Sequence, residues 1–177
     1  HRKISGDIVS YGTAYQDDNR STGYYVQHQY HQGGLNTQLG IRLEDDAKYG
    51  NHTIGQAAIR LQALPLTSVY ANIGTAFKSP TLDERYNSWS GNPNLKPEES
   101  ISYEVGIDQK LNYNIATGLS AYYTKIDNLI ESRCIAVCNG DWINTFPVYQ
   151  NINIDKASMR GGEVYANWNR DDLFIKS

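Results

Sequence analysis

The chain has 177 residues, a formal net charge of −3 and no run of lysine or arginine. Its length predicts one domain, and its charge does not indicate a nucleic-acid partner. No apolar segment approaches the roughly 18 residues that a membrane helix needs, which excludes helical membrane spans. A β-barrel stays open, because barrel strands alternate in polarity and give a weak hydropathy signal.

Apolar and polar residues alternate with a period of two along most of the chain, which predicts β-strands. From Leu35 onwards, for example, Leu39, Ile41 and Leu43 share one face, whereas Gln38 and Arg42 share the other. The pattern predicts about eight strands and no convincing helix. In chain order these segments are 3–15, 24–30, 35–44, 56–63, 69–74, 101–110, 115–123 and 163–168.

The predicted connections alternate between short and long. Short turns are expected at 33–34, 64–66, 112–114 and 170–172. Long polar connections are expected at 17–22, 45–52, 79–99 and 127–155. Sequential hairpins therefore place every short turn at one end and every long loop at the other. This predicts an all-β fold, an antiparallel up-and-down transmembrane β-barrel with short periplasmic turns and long extracellular loops.

A soluble β-sandwich, such as an adhesin or a lectin-like domain, is the alternative, because one buried face also produces alternation. Three details favour the barrel: strands of about 11–13 residues against a usual 5–6, charges on the polar faces, and aromatic residues at strand ends that fit interfacial girdles. The charged residues are Arg42, Arg60, Glu104, Asp108, Lys110 and Glu163. The aromatic residues are Tyr11, Tyr15, Tyr24, Phe77, Tyr123 and Trp168.

Sequence motifs of catalysis are absent, with no Gly-rich phosphate loop, no HExxH and no G-x-S-x-G. His28 and His31 are three residues apart, which places them on opposite faces of a strand and disfavours a joint metal site. We therefore expect no enzyme, no cofactor and no metal centre. A barrel hydrolase would need a Ser-His-carboxylate cluster on its inner face.

Cys134 and Cys138 lie within the longest predicted loop. Two unrelated thiols are possible, and a structural zinc site would lack two of its four ligands. A separation of four residues, with Gly140 nearby, allows a small disulfide-closed loop if the backbone turns. We favour the disulfide, which an oxidising compartment would preserve.

The segment 70–106 carries a longer motif, supported downstream by Asp127 to Ile130, Tyr149 to Asn151 and Arg160 to Glu163. The motif residues are Tyr70, Gly74, Phe77, Lys78, Pro80, Leu82, Tyr86, Gly91, Asn92, Pro93, Leu95, Lys96, Pro97, Glu98, Ser100, Tyr103, Glu104 and Gly106. In order and spacing they resemble the barrel motif of TonB-dependent outer-membrane receptors. They resemble the vitamin B12 receptor branch and, nearly as well, the ferric catecholate siderophore receptors.

The resemblance implies transport across a bacterial outer membrane without chemistry on the cargo. In this family, loops outside the cell bind a scarce metal chelate, and TonB displaces an N-terminal plug from a barrel of about 22 strands. Residues 1–177 are then part of the barrel domain, with the plug and the C-terminal strands outside this sequence, and outer-membrane lipid is a partner. Cobalamin is the expected cargo and a ferric siderophore the runner-up. The segment 81–91 has no histidine, which argues against haem.

Loop residues are the expected cargo contacts, because aromatic and charged side chains on loops suit a large polar ligand. The candidates are Asp83, Arg85, Tyr86, Trp89, Trp142 and Tyr149.

Overall fold

The computed structural model describes residues 2–10, 13–111, 114–139 and 146–168, with side chains from residue 20 onwards. These residues form eight strands and one short helix. Within the described residues, no helix is long and apolar enough to cross a membrane. The elements are β1 (Arg2–Ser10), β2 (Thr13–Gln32), β3 (Leu35–Asp46), β4 (Gly50–Leu64), β5 (Thr67–Lys78), α1 (Leu82–Tyr86), β6 (Glu98–Lys110), β7 (Ile115–Ala136) and β8 (Val148–Trp168).

All eight strands belong to one sheet in which each strand pairs antiparallel with the next in the chain. This order confirms the predicted antiparallel up-and-down arrangement. One end of the sheet carries the two-residue turns 33–34 and 65–66 and the connection between β6 and β7. Gly33 and Gly34 both have positive φ, at 57° and 81°, a conformation that glycine adopts at little cost. The predicted turn at 170–172 lies outside the described residues.

At the opposite end, the connection between β5 and β6 is the longest of those that the structure describes in full. The predicted loop 17–22 is wrong, because these residues belong to β2, and the predicted single strand 3–15 is split between β1 and β2. The predicted loop 45–52 is a three-residue turn between Asp46 and Gly50. The predicted loop 127–155 is mostly strand, because β7 reaches Ala136 and β8 begins at Val148.

The missed strand segments have two causes. In β2, residues 16–22 are polar on both faces, so the period-two signal that identifies a strand is lost. In β7 and β8 the apolar residues, among them Leu129 and Ile154, are few and lie among polar residues that are typical of loops. Only pairing reveals these segments, as in the register of Thr22 with Asp45 and of Leu129 with Ile154. The strands therefore reach 20 to 22 residues in β2, β7 and β8, beyond the predicted 11 to 13.

One face of the sheet is largely apolar from β3 to β7. Leu39, Ala57, Ile73, Tyr103 and Tyr123 lie side by side across five strands. The side chains of this face do not form a closed core. Leu39 is 54% exposed, and Val105 and Leu119, on the same face, are 57% and 54% exposed. Leu95, in the loop before β6, is the only buried hydrophobic residue among the described side chains. The apolar surface therefore faces outward, as the barrel prediction requires and the sandwich alternative does not.

The opposite face is polar and is cross-linked by side chains. Arg60 pairs with Asp108 and lies over the Tyr70 ring, with its Cζ 5.6 Å from the ring centroid. Tyr165 Oη donates to Asp108 Oδ1 at 2.8 Å, and Asn72 Nδ2 donates to Glu104 Oε2 at 3.2 Å. Charged and amide groups paired in this way indicate a hydrated surface and not a dry core.

Tyrosine rings on the polar face lie directly over glycines of the neighbouring strand. A Cβ atom on Gly106 would overlap the Tyr70 ring, and a Cβ on Gly118 would overlap the Tyr165 ring. Each glycine leaves the space that lets a ring lie flat across the sheet, an arrangement that compensates for the missing side chain. Glycine and tyrosine therefore act together in shaping the polar face.

Candidate functional site: the loop between β5 and β6

The longest described connection, residues 79–97, carries most of the predicted cargo contacts and is folded against the sheet. Its first element is α1, although no helix was predicted from the sequence. Thr81 is the N-cap: its Oγ1 accepts from Glu84 N at 3.1 Å, and Glu84 Oε2 accepts from Thr81 N at 2.7 Å. This reciprocal pair is a capping box, which satisfies two amide donors at a helix start. The Thr-x-x-Glu spacing was the available signal for the helix.

The helix is followed by a tight return of the chain at Gly91. Gly91 N donates to Asn87 O at 2.8 Å, and Asn92 N donates to Glu84 O at 3.1 Å. A Cβ atom on Gly91 would lie 2.5 Å from Asn87 O and 2.7 Å from Asn87 N. Since both are backbone atoms, no side-chain movement would relieve the overlap. The motif requires glycine here for steric reasons.

A group of three charges closes the base of the loop. Lys78 Nζ, at the end of β5, lies 3.0 Å from Glu84 Oε1 and 3.4 Å from Glu98 Oε2. Glu98 Oε1 also accepts from Ile130 N at 2.8 Å. These contacts connect β5, α1, β6 and β7. Lys78 and Glu98 of the motif therefore have a structural role.

Glu84 is ionised more readily than an ordinary glutamate. Its partial burial by itself raises the pKa, but hydrogen bonds from Thr81, through its backbone N–H and its side chain, and from Lys78 oppose that effect. Together with the charge of Lys78 they hold the pKa of Glu84 below its usual value.

Two asparagines of β8 attach the loop to the neighbouring hairpin. Asn151, which is 7% exposed, donates from its backbone N to Ser90 O at 2.7 Å and from Nδ2 to Glu84 O at 2.9 Å. Its own carbonyl accepts from Asn92 Nδ2 at 2.8 Å. Asn151 thus binds the middle of loop 79–97 at three residues, Glu84, Ser90 and Asn92.

Asn153 forms the second attachment. Its Oδ1 accepts from Lys96 N at 2.8 Å, and its Nδ2 donates to Lys96 O at 2.9 Å and to Asn128 O at 2.8 Å. Asn128 has a positive φ of 58°, a conformation that Asn tolerates better than most residues. We call Asn151 and Asn153, with their bonds to loop 79–97, the asparagine clasp.

A third attachment joins the start of the loop to the turn between β3 and β4. Asp46, which is buried, accepts from Lys48 N at 2.9 Å, Tyr49 N at 3.0 Å and Ser79 Oγ at 3.0 Å. A buried carboxylate with several donors is well satisfied. Loop 79–97 is therefore fixed directly to β3 and β8.

The predicted contact residues fall into two groups. Arg85 is only 3% exposed, donates from Nη2 to Tyr86 Oη, and places its Cζ 4.5 Å from the Tyr86 ring centroid. Asp83 is exposed in the first turn of α1, and Trp89 is 71% exposed at the loop tip. The loop therefore presents Asp83 and Trp89 to solvent, while Arg85 supports Tyr86 from within.

The hairpin of β7 and β8 carries the remaining candidates. Cys134 and Cys138 are joined by a disulfide with a Cα–Cα distance of 5.7 Å, as predicted from their spacing. Tyr149 lies opposite Cys134 in the β7–β8 register and is exposed. Trp142 lies outside the described residues. No group of three or more potential metal ligands occurs among the residues that the structure describes.

Removal of the Asn153 side chain should release loop 79–97. Asn153→Ala deletes three hydrogen bonds, each worth about 1 kcal/mol net. We expect loop amides to exchange with solvent about tenfold faster or more, with the strands unchanged, in hydrogen-exchange mass spectrometry. Asn94→Ala is the matched control, because Asn94 is exposed in the same loop and only its backbone N–H is bonded. Equal exchange in both variants would contradict the clasp.

Acid should loosen the same loop. Because the folded-state pKa of Glu84 is lowered, its stabilising contribution is present above the unfolded pKa of about 4.3 and is lost as pH falls through the folded value. We expect protease cleavage within 79–97 to increase below about pH 4, measured with an acid-active protease. Glu84→Gln should be cleaved readily at neutral pH as well, and its cleavage should depend less on pH.

The chain matches a known family and named relatives over most of its length. Residues 3–176 match the family model described as TonB dependent receptor-like, beta-barrel. The chain is 35% identical over 167 residues to the vitamin B12 transporter BtuB of Photobacterium profundum, covering 91% of this chain and 26% of that protein. It is 33% identical over 153 residues to the BtuB of Vibrio vulnificus (strain YJ016), covering 85% of this chain and 23% of that protein. The chain thus spans about a quarter of the length of these relatives.

Solved structures share the fold at lower identity. The siderophore receptor PirA from Pseudomonas aeruginosa aligns with a TM-score of 0.70 and 20% identity, over 85% of this chain and 31% of that one. The copper transporter OprC aligns with a TM-score of 0.70 and 16% identity, over 90% of this chain and 28% of that one. With nearly all its residues matched by the family model, this chain belongs to the TonB-dependent receptor β-barrel family.

Proposed function

We propose that this chain is part of the barrel of a bacterial outer-membrane receptor that imports cobalamin and is energised by TonB through a plug domain. The apolar outward face is the observation that supports a membrane location. On β3 it extends from Leu35 to Leu43, eight residue steps, or about 26 Å along the strand. At the strand tilt of about 35–45° in outer-membrane barrels this length spans about 20 Å of height, close to their apolar band of about 25 Å.

The cargo proposal rests on identity. Two relatives named vitamin B12 transporters are 35% and 33% identical to this chain. The solved siderophore receptor PirA is 20% identical, a level at which the fold is shared and cargo is not implied. A ferric siderophore remains the second candidate, since a ferric enterobactin receptor in complex with enterobactin also aligns, with a TM-score of 0.68.

We assign the cargo contacts to the exposed members of the predicted set. Trp89 and Asp83 project from loop 79–97, and Tyr149 projects from the β7–β8 hairpin beside the disulfide. Tyr86 and Arg85 form the support beneath them, and Trp142 is proposed as a further contact from the sequence alone. Aromatic faces on a loop that is held rigid bind a large ligand with little loss of conformational entropy.

A pair of neighbouring substitutions tests the membrane location. Leu39 and Gln38 are adjacent in β3 and lie on opposite faces. In the intact natural protein that contains this sequence, folded into phospholipid vesicles, Leu39→Lys should lower the free energy of unfolding by about 2–4 kcal/mol, as a charge facing the bilayer centre does. Gln38→Lys, on the hydrated inner face, should change it by less than about 1 kcal/mol. Equal effects would argue against a lipid-facing apolar surface.

Equilibrium binding to the same intact protein tests the cargo. Trp89→Ala should weaken cobalamin binding by about tenfold, corresponding to loss of an exposed aromatic contact. Asn94→Ala, at an exposed position of the same loop, should bind as the unaltered protein does. If the unaltered protein binds ferric enterobactin and not cobalamin, the second candidate replaces the first.

A further inference from the structure

We propose that His52 is a positioning residue for loop 79–97: its doubly protonated ring fastens the turn between β3 and β4 to β6, and this turn holds the start of the loop. The attachment is then strongest when His52 carries a positive charge. This inference rests on the proposed role of loop 79–97 in cargo binding, but its first test does not use cargo.

The sheet divides between β4 and β5 on the side that carries loop 79–97. The pairing of these two strands ends at Gln56 and Gly74, whereas β3 and β4 stay paired up to their turn and β5 and β6 stay paired up to the loop. At the division, Gly55 N donates at 2.8 Å to the side-chain Oγ1 of Thr75. Side chains therefore have to hold the end of the β3–β4 hairpin against β5 and β6.

The His52 ring lies across this division. It stacks on the Phe77 ring of β5, with 3.6 Å between the ring centroids. Its Nδ1 lies 3.3 Å from Glu99 Oε1 on β6, and its Nε2 lies 3.0 Å from Tyr49 O in the turn. The side chain is 15% exposed, so water reaches little of the ring.

Both ring nitrogens of His52 thus face an oxygen that accepts hydrogen bonds. A neutral imidazole carries one N–H, whereas the imidazolium carries two. Only the doubly protonated ring can donate to Tyr49 O and to the Glu99 carboxylate at the same time. Histidine is the side chain that changes charge between about pH 5 and 8, so one of the two bonds is lost as pH rises through this range.

The surrounding charges leave Glu99 as the ionic partner of His52. The other charged groups that face this region from β3 and β7 form two ion pairs of 3.1 and 2.8 Å: Arg42 with Glu44, and Lys125 with Asp127. Lys78, the charged residue at the end of β5, pairs with Glu84 and Glu98. Among the residues whose side chains the structure describes, Glu99 forms an ion pair only with His52.

The turn between β3 and β4 carries the effect to the loop. Tyr49 N donates to Asp46 Oδ1 and Ser79 Oγ donates to Asp46 Oδ2, both at 3.0 Å. Lys48 Nζ lies 5.9 Å from the centroid of the Tyr86 ring. The turn thus contacts loop 79–97 at its first residue and again at Tyr86. A turn that is released from β6 therefore also releases the start of the loop.

Hydrogen-exchange mass spectrometry of the intact natural protein in phospholipid vesicles tests the proposal at about pH 5.5 and about pH 8.5, on either side of the histidine range. The variant His52→Phe keeps a ring against Phe77 but removes both N–H groups. At each pH its exchange is divided by that of the unaltered protein, so the intrinsic effect of pH on amide exchange cancels. Segments 47–51 and 79–86 should exchange faster in the variant, and the ratio should be about fivefold larger at the lower pH, as for one hydrogen bond.

Two further variants keep this test specific. Glu99→Gln, a smaller change at a side chain that is 58% exposed, should also raise exchange in both segments at the lower pH. His28→Phe is the matched control, because it makes the same substitution on β2, opposite Leu39 and away from the division. Its exchange ratio should stay near one at both pH values. A ratio for His52→Phe that does not change with pH, or an equal rise in His28→Phe, would overturn the proposal.

Cobalamin binding on the same preparations gives the second readout. The affinity of the unaltered protein should fall by about twofold to fivefold from the lower to the higher pH, whereas that of His52→Phe should be low at both. An unchanged affinity in His52→Phe would also overturn the positioning role. If the unaltered protein does not bind cobalamin at either pH, the proposed cargo fails, and the exchange ratios alone decide the role of His52.

Discussion

The fold depends on a single layer of strands that has no core of its own. Only Leu95 is a buried hydrophobic residue among the described side chains, whereas stable domains usually pack two layers around an apolar interior. Backbone pairing between neighbouring strands satisfies the amide groups but supplies little of the burial that stabilises a domain. The apolar face therefore requires an apolar medium, and the polar face requires water or another polar surface.

This constraint explains why side-chain alternation governs the sequence so strictly. A register shift of one residue would exchange the two faces of a strand, bringing Arg60 and Asp108 outward and Ile59 and Ile107 inward. The inward network prevents such a shift locally, because Arg60, Asp108 and Tyr165 hold β4, β6 and β8 in a common register. Polar contacts on one face thus fix the position of apolar residues on the other.

The sequence was informative where one face is apolar and uninformative where both are polar. The faces of β3 to β7 follow from alternation alone, and the short turn at Gly33 and Gly34 follows from its glycines. The outer part of β2 resembles a loop in sequence because both of its faces are polar, and in β7 and β8 the few apolar residues are separated by asparagine, aspartate and serine, which are typical of loops. Burial of Arg85, which is 3% exposed, was not predictable either, because nothing in the local sequence distinguishes it from an exposed helical arginine.

The motif of segment 70–106 takes on a different meaning once its contacts are known. Lys78, Glu84 and Glu98 close the base of loop 79–97, and Gly91 allows the chain to return on itself. These residues are explained by folding, without reference to any cargo.

A motif of this kind identifies a family because it preserves the shape of a loop. The side chains that the loop displays to solvent, Asp83 and Trp89, take no part in the clasp, so the proposed cargo contacts can change without loss of the loop's shape. The fold itself is shared at 16–20% identity by a copper transporter and a siderophore receptor, so a likeness of fold does not identify a cargo.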